Sequence, residues 1–167
     1  TYGDYNNAST YASTHKTGEI WASALWDMNW LLIDKYGFSS DFYHGTGGNN
    51  TALQLVMDGL KLQGTNPSLL EGRDAILAAD LAVSGGQNHA EIWAAFARRG
   101  LGFSASDGSG SNSTAVTEAF DIPGTISGSV FRDDDADGVR DAGEPGLPGW
   151  TVFRDLNNNG VQDFATT

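Results

Sequence analysis

Apolar residues recur at helical spacing through the first hundred positions of the chain. In "HKTGEIWASALWDMNWLLIDKYG" (15–37), Ile20, Trp21, Ala24, Leu25, Met28, Leu31, Leu32 and Tyr36 follow i, i+3, i+4 order. This predicts a helix burying a wide apolar stripe and stopped by Gly37. "SSDFYHGTGGN" reads as loop, and "NTALQLVMDGLKLQ" predicts a second helix burying Leu53, Val56, Met57 and Leu60. "NPSLLEGRDAILAADLAV" predicts a third, with Asn66 as N-cap and Pro67 at the first helical position. "HAEIWAAFARRGLG" predicts a short fourth helix carrying Ile92, Trp93 and Phe96 and closed by Gly100. Residues 1–14 hold no sustained period and read as loop, whereas "SASDGSGSNST" has the composition of a flexible linker.

The period changes after residue 123. "GTISGSVF" and "GWTVF" are alternating, β-branched and aromatic, so they predict strands, with the turn cluster "GEPGLPG" between them. Each strand runs into an acidic phrase, "VFRDDDADGVRD" from Val130 and "VFRDLNNNGVQD" from Val152.

Charge sharpens this division. The net charge of -12 is shared equally by residues 1–120 and the much shorter stretch 121–167, so the tail is about twice as charge-dense. Such a balance repels nucleic acid and anionic membrane and favours cations or neutral partners. No apolar run is long enough for a membrane span, and no signal peptide is visible. With no cysteine, thiolate and disulfide chemistry are excluded. A first residue of Thr1 rather than Met is expected of a mature, processed or truncated product. Asn7, Asn49 and Asn112 begin glycosylation-type sequons.

The first acidic phrase matches a calcium loop at seven positions. Asp133, Asp135 and Asp137 stand at positions 1, 3 and 5, Gly138 at 6, Val139 at 7, Asp141 at 9 and Glu144 at 12. Side-chain oxygens at 1, 3 and 5, a sharp turn at 6, a carbonyl at 7 and a bidentate carboxylate at 12 are what a Ca²⁺ shell needs. The second phrase keeps Asp155, Asn157, Asn159, Gly160, Val161 and Asp163 but has Thr166 at position 12. It is therefore expected to be the weaker site. Affinities of about 10⁻⁴–10⁻³ M would make the ion a structural staple rather than a signal.

An EF-hand would place a helix after each loop, but a strand pattern follows here. Residues 124–163 resemble the opening of an SdrD B-like repeat, a calcium-binding β-sandwich module of bacterial surface and secreted proteins. The resemblance implies a Greek-key sandwich of which only two or three strands of about seven are present.

In the helical part, His15 and Glu19 are four apart and share a helix face, too few ligands to hold zinc by themselves. His44 lies in a Gly-rich loop and His89 at a helix start, both expected to be surface or capping residues. No HExxH, phosphate loop or serine-nucleophile motif occurs. "THKTGEIWASALWDMNWLLIDKYG", "GNNTALQLVMDGLKLQGTNPSLLEGRDAILAAD" and "GGQNHAEIWAAFARRGLGFSA" resemble, in order, the C-terminal lobe of fungalysin-type secreted zinc metallopeptidases. The resemblance covers about residues 11–106. It implies a thermolysin-like lobe whose zinc ligands lie upstream, and a catalytic role for His15 as hydrogen-bond donor to the developing oxyanion. The carboxylate that orients such a histidine often stands five residues before it, where this chain has Thr10; Asp4 or a backbone carbonyl would have to serve.

These readings combine into an α+β multidomain chain. Residues 1–106 form a mainly α-helical lobe, resembling the thermolysin-like C-terminal subdomain. Residues 107–123 are a linker, and 124–167 a partial Ig-like β-sandwich module. The expected function is part of a secreted or cell-surface bacterial zinc metalloendopeptidase joined to a calcium-stabilised module. Calcium is the expected cofactor of this chain, with zinc only where the missing catalytic lobe is present. That lobe or a neighbouring protomer is the expected partner, and a peptide or protein the expected substrate of the parent enzyme. Lacking HExxH, this chain alone is not expected to hydrolyse peptides. The alternative is a non-catalytic subunit of an extracellular assembly or fibre, completed by strand addition.

Overall fold

The structure is a computed structural model and describes residues 1–6, 14–108, 115–124, 129–150, 152–154 and 164–165. It divides into two compact units, Thr1–Pro123 and Gly124–Thr167.

The first unit is built on four helices: α1 (Thr14–Tyr36), α2 (Gly48–Leu62), α3 (Leu69–Ser84) and α4 (His89–Arg98). Helix α1 is central and packs against both α2 and α4, while α3 lies against α2. Most of its inward face is the expected one: Ile20, Ala24, Met28 and Leu32 are buried with Ile76, Leu77, Ile92 and Phe96 in one core, Trp21, Leu25 and Leu31 are partly buried against it, and Tyr36, expected in the stripe, is exposed. Gly37 ends α1 in the left-handed region, at φ 77°, as its position predicts. Gly100, at φ 82°, turns the chain after α4.

Helix α2 turns a different face inward from the one its large apolar residues predict. Gly48, Asn49, Ala52, Leu55 and Gly59 are its buried residues. Leu53, Met57 and Leu60 are instead each more than half exposed, and Val56 is half-buried. The cause is close approach of backbones: a Cβ on Gly48 would lie 2.0 Å from the Leu32 carbonyl oxygen, and one on Gly59 would lie 2.9 Å from Ile76 Cγ1. Small residues therefore set the contact, and the bulkier ones are turned away from it.

Helix α3 begins two residues later than Asn66 and Pro67 predict. Asn66 has φ 57°, and the N-cap is Ser68. Ser68 Oγ accepts from the Glu71 backbone N–H at 3.1 Å, while the Ser68 N–H donates to Glu71 Oε2 at 2.7 Å. This reciprocal pair satisfies two donors that would otherwise be orphaned.

The expected linker is, in its described part, bonded back to the segment that follows α4 and to the N-terminal turn. The Gly102 N–H donates to the Ala119 carbonyl, the Ala119 N–H to the Gly100 carbonyl, and Ser106 and Thr117 exchange both backbone bonds. Asn6 clamps Val116 in the same way, its Nδ2 donating to the Val116 carbonyl and its Oδ1 accepting the Val116 N–H, both at 2.7 Å. Val116 is buried as a result. Residues 2–6, expected to be loop, form a turn of 3-10 helix with Tyr2 in the core.

The second unit holds β1 (Phe153–Arg154) antiparallel to β2 (Phe164–Ala165), plus a bridging pair, Phe131 with Gly146. The partial Ig-like sandwich expected of 124–167 is not found among the described residues. A sandwich needs two multi-stranded sheets facing each other, and one pair of two-residue strands provides no second face.

Candidate functional site

His15 is the second residue of α1 and is exposed. At about 100° per residue, His15, Glu19, Ala22, Trp26 and Trp30 fall within about 80° of one another, on the side of α1 opposite its buried stripe. All five are exposed. An imidazole set at a helix start and open to solvent is free to donate N–H to a ligand approaching that face. Among the described residues no carboxylate is bonded to it: Asp4 Oδ2 instead accepts from the Thr1 amine at 2.6 Å. Thr10 lies outside the described residues.

The other two histidines behave differently. His44 is on the surface, its Nδ1 3.7 Å from Asp41 Oδ2. His89 Nδ1 is 2.8 Å from Asp80 Oδ2, part of a network that sequence reasoning missed. Fully buried Asp80 also accepts from the Asn88 N–H at 2.9 Å, Asn88 Nδ2 at 2.7 Å and Ser84 Oγ at 2.6 Å. Burial alone would raise its pKa, but these bonds from His89, Ser84 and Asn88 outweigh it and hold the carboxyl below its usual range. The signal available in the sequence was a lone acid inside the apolar run "AILAADLAV". Asp80 shapes the α3–α4 corner and is occupied by it.

Among the described residues, three or more metal-ligating side chains converge at one place, Asp133, Asp135 and Asp137, whose oxygens lie within 4.8 Å of one another. Among the described residues no set of three or more His, Asp and Glu side chains includes His15, so zinc does not fit the described residues of this chain.

The acidic loop is shaped by its own backbone. Gly138 has φ 79°, which supplies the sharp turn expected at position 6. Asp133 accepts from the Asp137 N–H at 3.2 Å and the Gly138 N–H at 2.9 Å, and Asp137 Oδ1 accepts from the Val139 N–H at 2.7 Å. The Gly138 N–H above all holds the Asp133 carboxyl below its usual range. Buried Glu144 reaches back to close the loop, accepting from the Asp134 N–H at 2.8 Å and the Asp141 N–H at 3.0 Å. The loop thus brings Asp133, Asp135 and Asp137 together and carries Val139, Asp141 and Glu144 in the same turn. Asp155, Asn157, Asn159, Val161 and Asp163 of the second phrase lie outside the described residues.

Of the three sequons, Asn49 is buried, its Oδ1 accepting from the Ser39 N–H and its Nδ2 donating to the Ser39 carbonyl, both at 2.9 Å. Both amide atoms are used inside the fold, which leaves a glycan no attachment point. Asn7 and Asn112 lie outside the described residues.

The family model described as Fungalysin metallopeptidase (M36) matches residues 1–105, the helical unit with His15 at the head of its central helix. The chain belongs to the fungalysin metallopeptidases. Among similar curated fungalysin-like proteins, an extracellular metalloproteinase of Fusarium vanettenii is 40% identical over 130 residues, covering 73% of this chain and 20% of that protein. One of Pyrenophora tritici-repentis is 40% identical over 129 residues, covering 73% and 19%. One of Aspergillus fumigatus is 45% identical over 104 residues, covering 59% and 16%. The chain therefore spans about a fifth of the length of these relatives. They are named extracellular proteins, and this fungalysin chain is likewise secreted. Among its described residues no helix is long and apolar enough to cross a membrane.

Proposed function

We propose that residues 1–106 are the helical lobe of a secreted zinc metalloendopeptidase. In this reading His15 donates its imidazole N–H to the oxyanion of a peptide substrate. The observation that carries it is the fungalysin match over residues 1–105 together with the exposed position of His15 at the start of α1. A donor aimed at charge that develops only in the transition state lowers the barrier, by roughly 2.7–4 kcal/mol in comparable cases. Zinc and the general base belong to a part of the enzyme that these residues do not include, so this chain alone is inactive. The relatives reported are fungal, and the bacterial origin expected of the chain rests on the acidic repeat alone.

Residues 107–123 join this lobe to a calcium-stabilised extension, 124–167, of SdrD B-like type. Asp133, Asp135, Asp137, the Val139 carbonyl, Asp141 and Glu144 would hold Ca²⁺, which supplies the charge that offsets repulsion among the carboxylates. The convergence of the three aspartates supports it. The second phrase, Asp155 to Asp163, would form a weaker loop.

Metal analysis and a peptide-hydrolysis assay on the polypeptide as secreted test the reading. Zinc with calcium and hydrolysis of a protein substrate is the expected result; a zinc-free polypeptide with no hydrolysis overturns it. The non-catalytic subunit reading draws on the outer edges of β1 and β2, which pair with no third strand among the described residues. It requires instead a particle size that depends on calcium.

A further inference from the structure

Because α2 packs through its small residues, two of its larger apolar ones, Leu53 and Met57, are left to border a cleft of about 420 Å³. Its other apolar walls are Phe42 and Tyr43, from the segment between α1 and α2, and Val83 of α3. All five side chains are more than half exposed. Scattered apolar residues on a surface are ordinary, but five drawn from three segments around one cleft mark a contact site. The volume suits a small molecule, with apolar walls and few polar groups to orient it. His15 is elsewhere: Gly48, at the start of α2, packs on Leu32, about 26 Å along α1 from His15.

Two polar residues of the lining define what the cleft accepts. Asn50 Nδ2 donates to the Asp41 carbonyl at 2.8 Å, which fixes the amide, since a turned amide would set oxygen against oxygen. Its Oδ1 is left buried with no hydrogen-bond partner among the described residues. A buried acceptor without a donor is costly, and an N–H brought by a ligand into the cleft that Asn50 lines removes that cost. The second residue is Asp80, the one formal charge among those lining the cleft. Ser84, Asn88 and His89 already bond its oxygens, so it offers a ligand negative potential rather than a lone pair. Both residues favour a cation that donates and disfavour an anion, and the rings of Phe42 and Tyr43 add aromatic faces that suit a cation.

We propose that this cleft binds a protonated primary amine carried on a compact apolar body, of the arylalkylamine class. The ammonium donates to Asn50 Oδ1 within the field of Asp80, and the body lies against Leu53, Met57 and Val83. Such binding goes beyond peptide hydrolysis and needs neither zinc nor His15, so it stands or falls separately from the proposed function.

Calorimetric titration of the polypeptide as secreted with phenethylamine tests this, with phenylacetate, a carboxylate of the same size, as the comparison. Saturable single-site binding of phenethylamine is expected, about ten-fold or more tighter than that of phenylacetate. Asn50→Leu is expected to weaken it by about ten-fold or more, and Val83→Trp, which fills the cleft from an exposed position, to abolish it. Thermal unfolding of each variant establishes that it is folded; where Asn50→Leu is not, Val83→Trp decides. Absence of saturable binding, equal affinity for phenylacetate, or wild-type affinity in either folded variant overturns the proposal.

Discussion

The buried carboxylate of Asp80 accepts both the backbone N–H of Asn88, at 2.9 Å, and its side-chain amide, at 2.7 Å. One side chain thereby organises the start of α4 from the end of α3. Asp80→Ala leaves the Asn88 donors buried without an acceptor. The expected loss is about 1–3 kcal/mol in urea unfolding of the 167-residue chain. An unchanged midpoint would show that the network is not needed.

The same carboxyl predicts an acid limb. Its folded pKa is lowered, so its stabilisation is complete above the unfolded carboxylate value of about 3.9 and is lost as pH falls through the lower folded value. The stability of the native chain is expected to fall more steeply below about pH 4 than that of Asp80→Asn. Parallel pH profiles would contradict this.

Glycine contacts on α2 give a paired prediction. Gly48→Ala drives a Cβ to 2.0 Å from the Leu32 carbonyl oxygen, in backbone that cannot swing aside. A cost of about 1–3 kcal/mol is expected from overpacking. Gly18→Ala on α1 meets nothing within 4 Å and should gain about 0.5–1 kcal/mol through helix propensity. Thermal unfolding of the two variants should move in opposite directions.

How much of this was legible in the sequence depended on the kind of contact. The inward faces of α1 and α4 follow their large apolar residues, so Ile20, Met28, Ile92 and Phe96 could be read directly. Helix α2 packs through Gly48, Ala52 and Gly59, and a reading that ranks side chains by size assigns Leu53, Met57 and Leu60 to the wrong side. The capping box was present as Ser68 and Glu71, three residues apart, but Asn66 with Pro67 offered a competing start. Residues 115–121 looked like linker because their partners, Asn6 and Gly100–Ser106, are distant in sequence, and single backbone pairings leave no periodic trace. The convergence of Asp133, Asp135 and Asp137 was legible because their spacing is local, whereas calcium binding there is the proposal. The proposed oxyanion-donor role of His15 depends on zinc ligands and a general base that these residues do not include.

Loss of the cap is tested separately. Ser68→Ala removes the acceptor for the Glu71 N–H and should cost about 1 kcal/mol, seen as a lower urea midpoint with unchanged slope.

For the acidic loop, Glu144→Gln removes one charge and the bidentate carboxylate. Calcium titration of the intact chain should show several-fold weaker binding than wild type. Equal affinity would place the ion elsewhere.

The most direct measurement is kcat for peptide hydrolysis by the secreted polypeptide carrying His15→Ala, with zinc content and KM determined alongside. A fall in kcat of about 10²–10³-fold at unchanged zinc content and KM is predicted for a lost oxyanion donor. A kcat within about two-fold of wild type, at equal zinc content, would contradict the role given to His15.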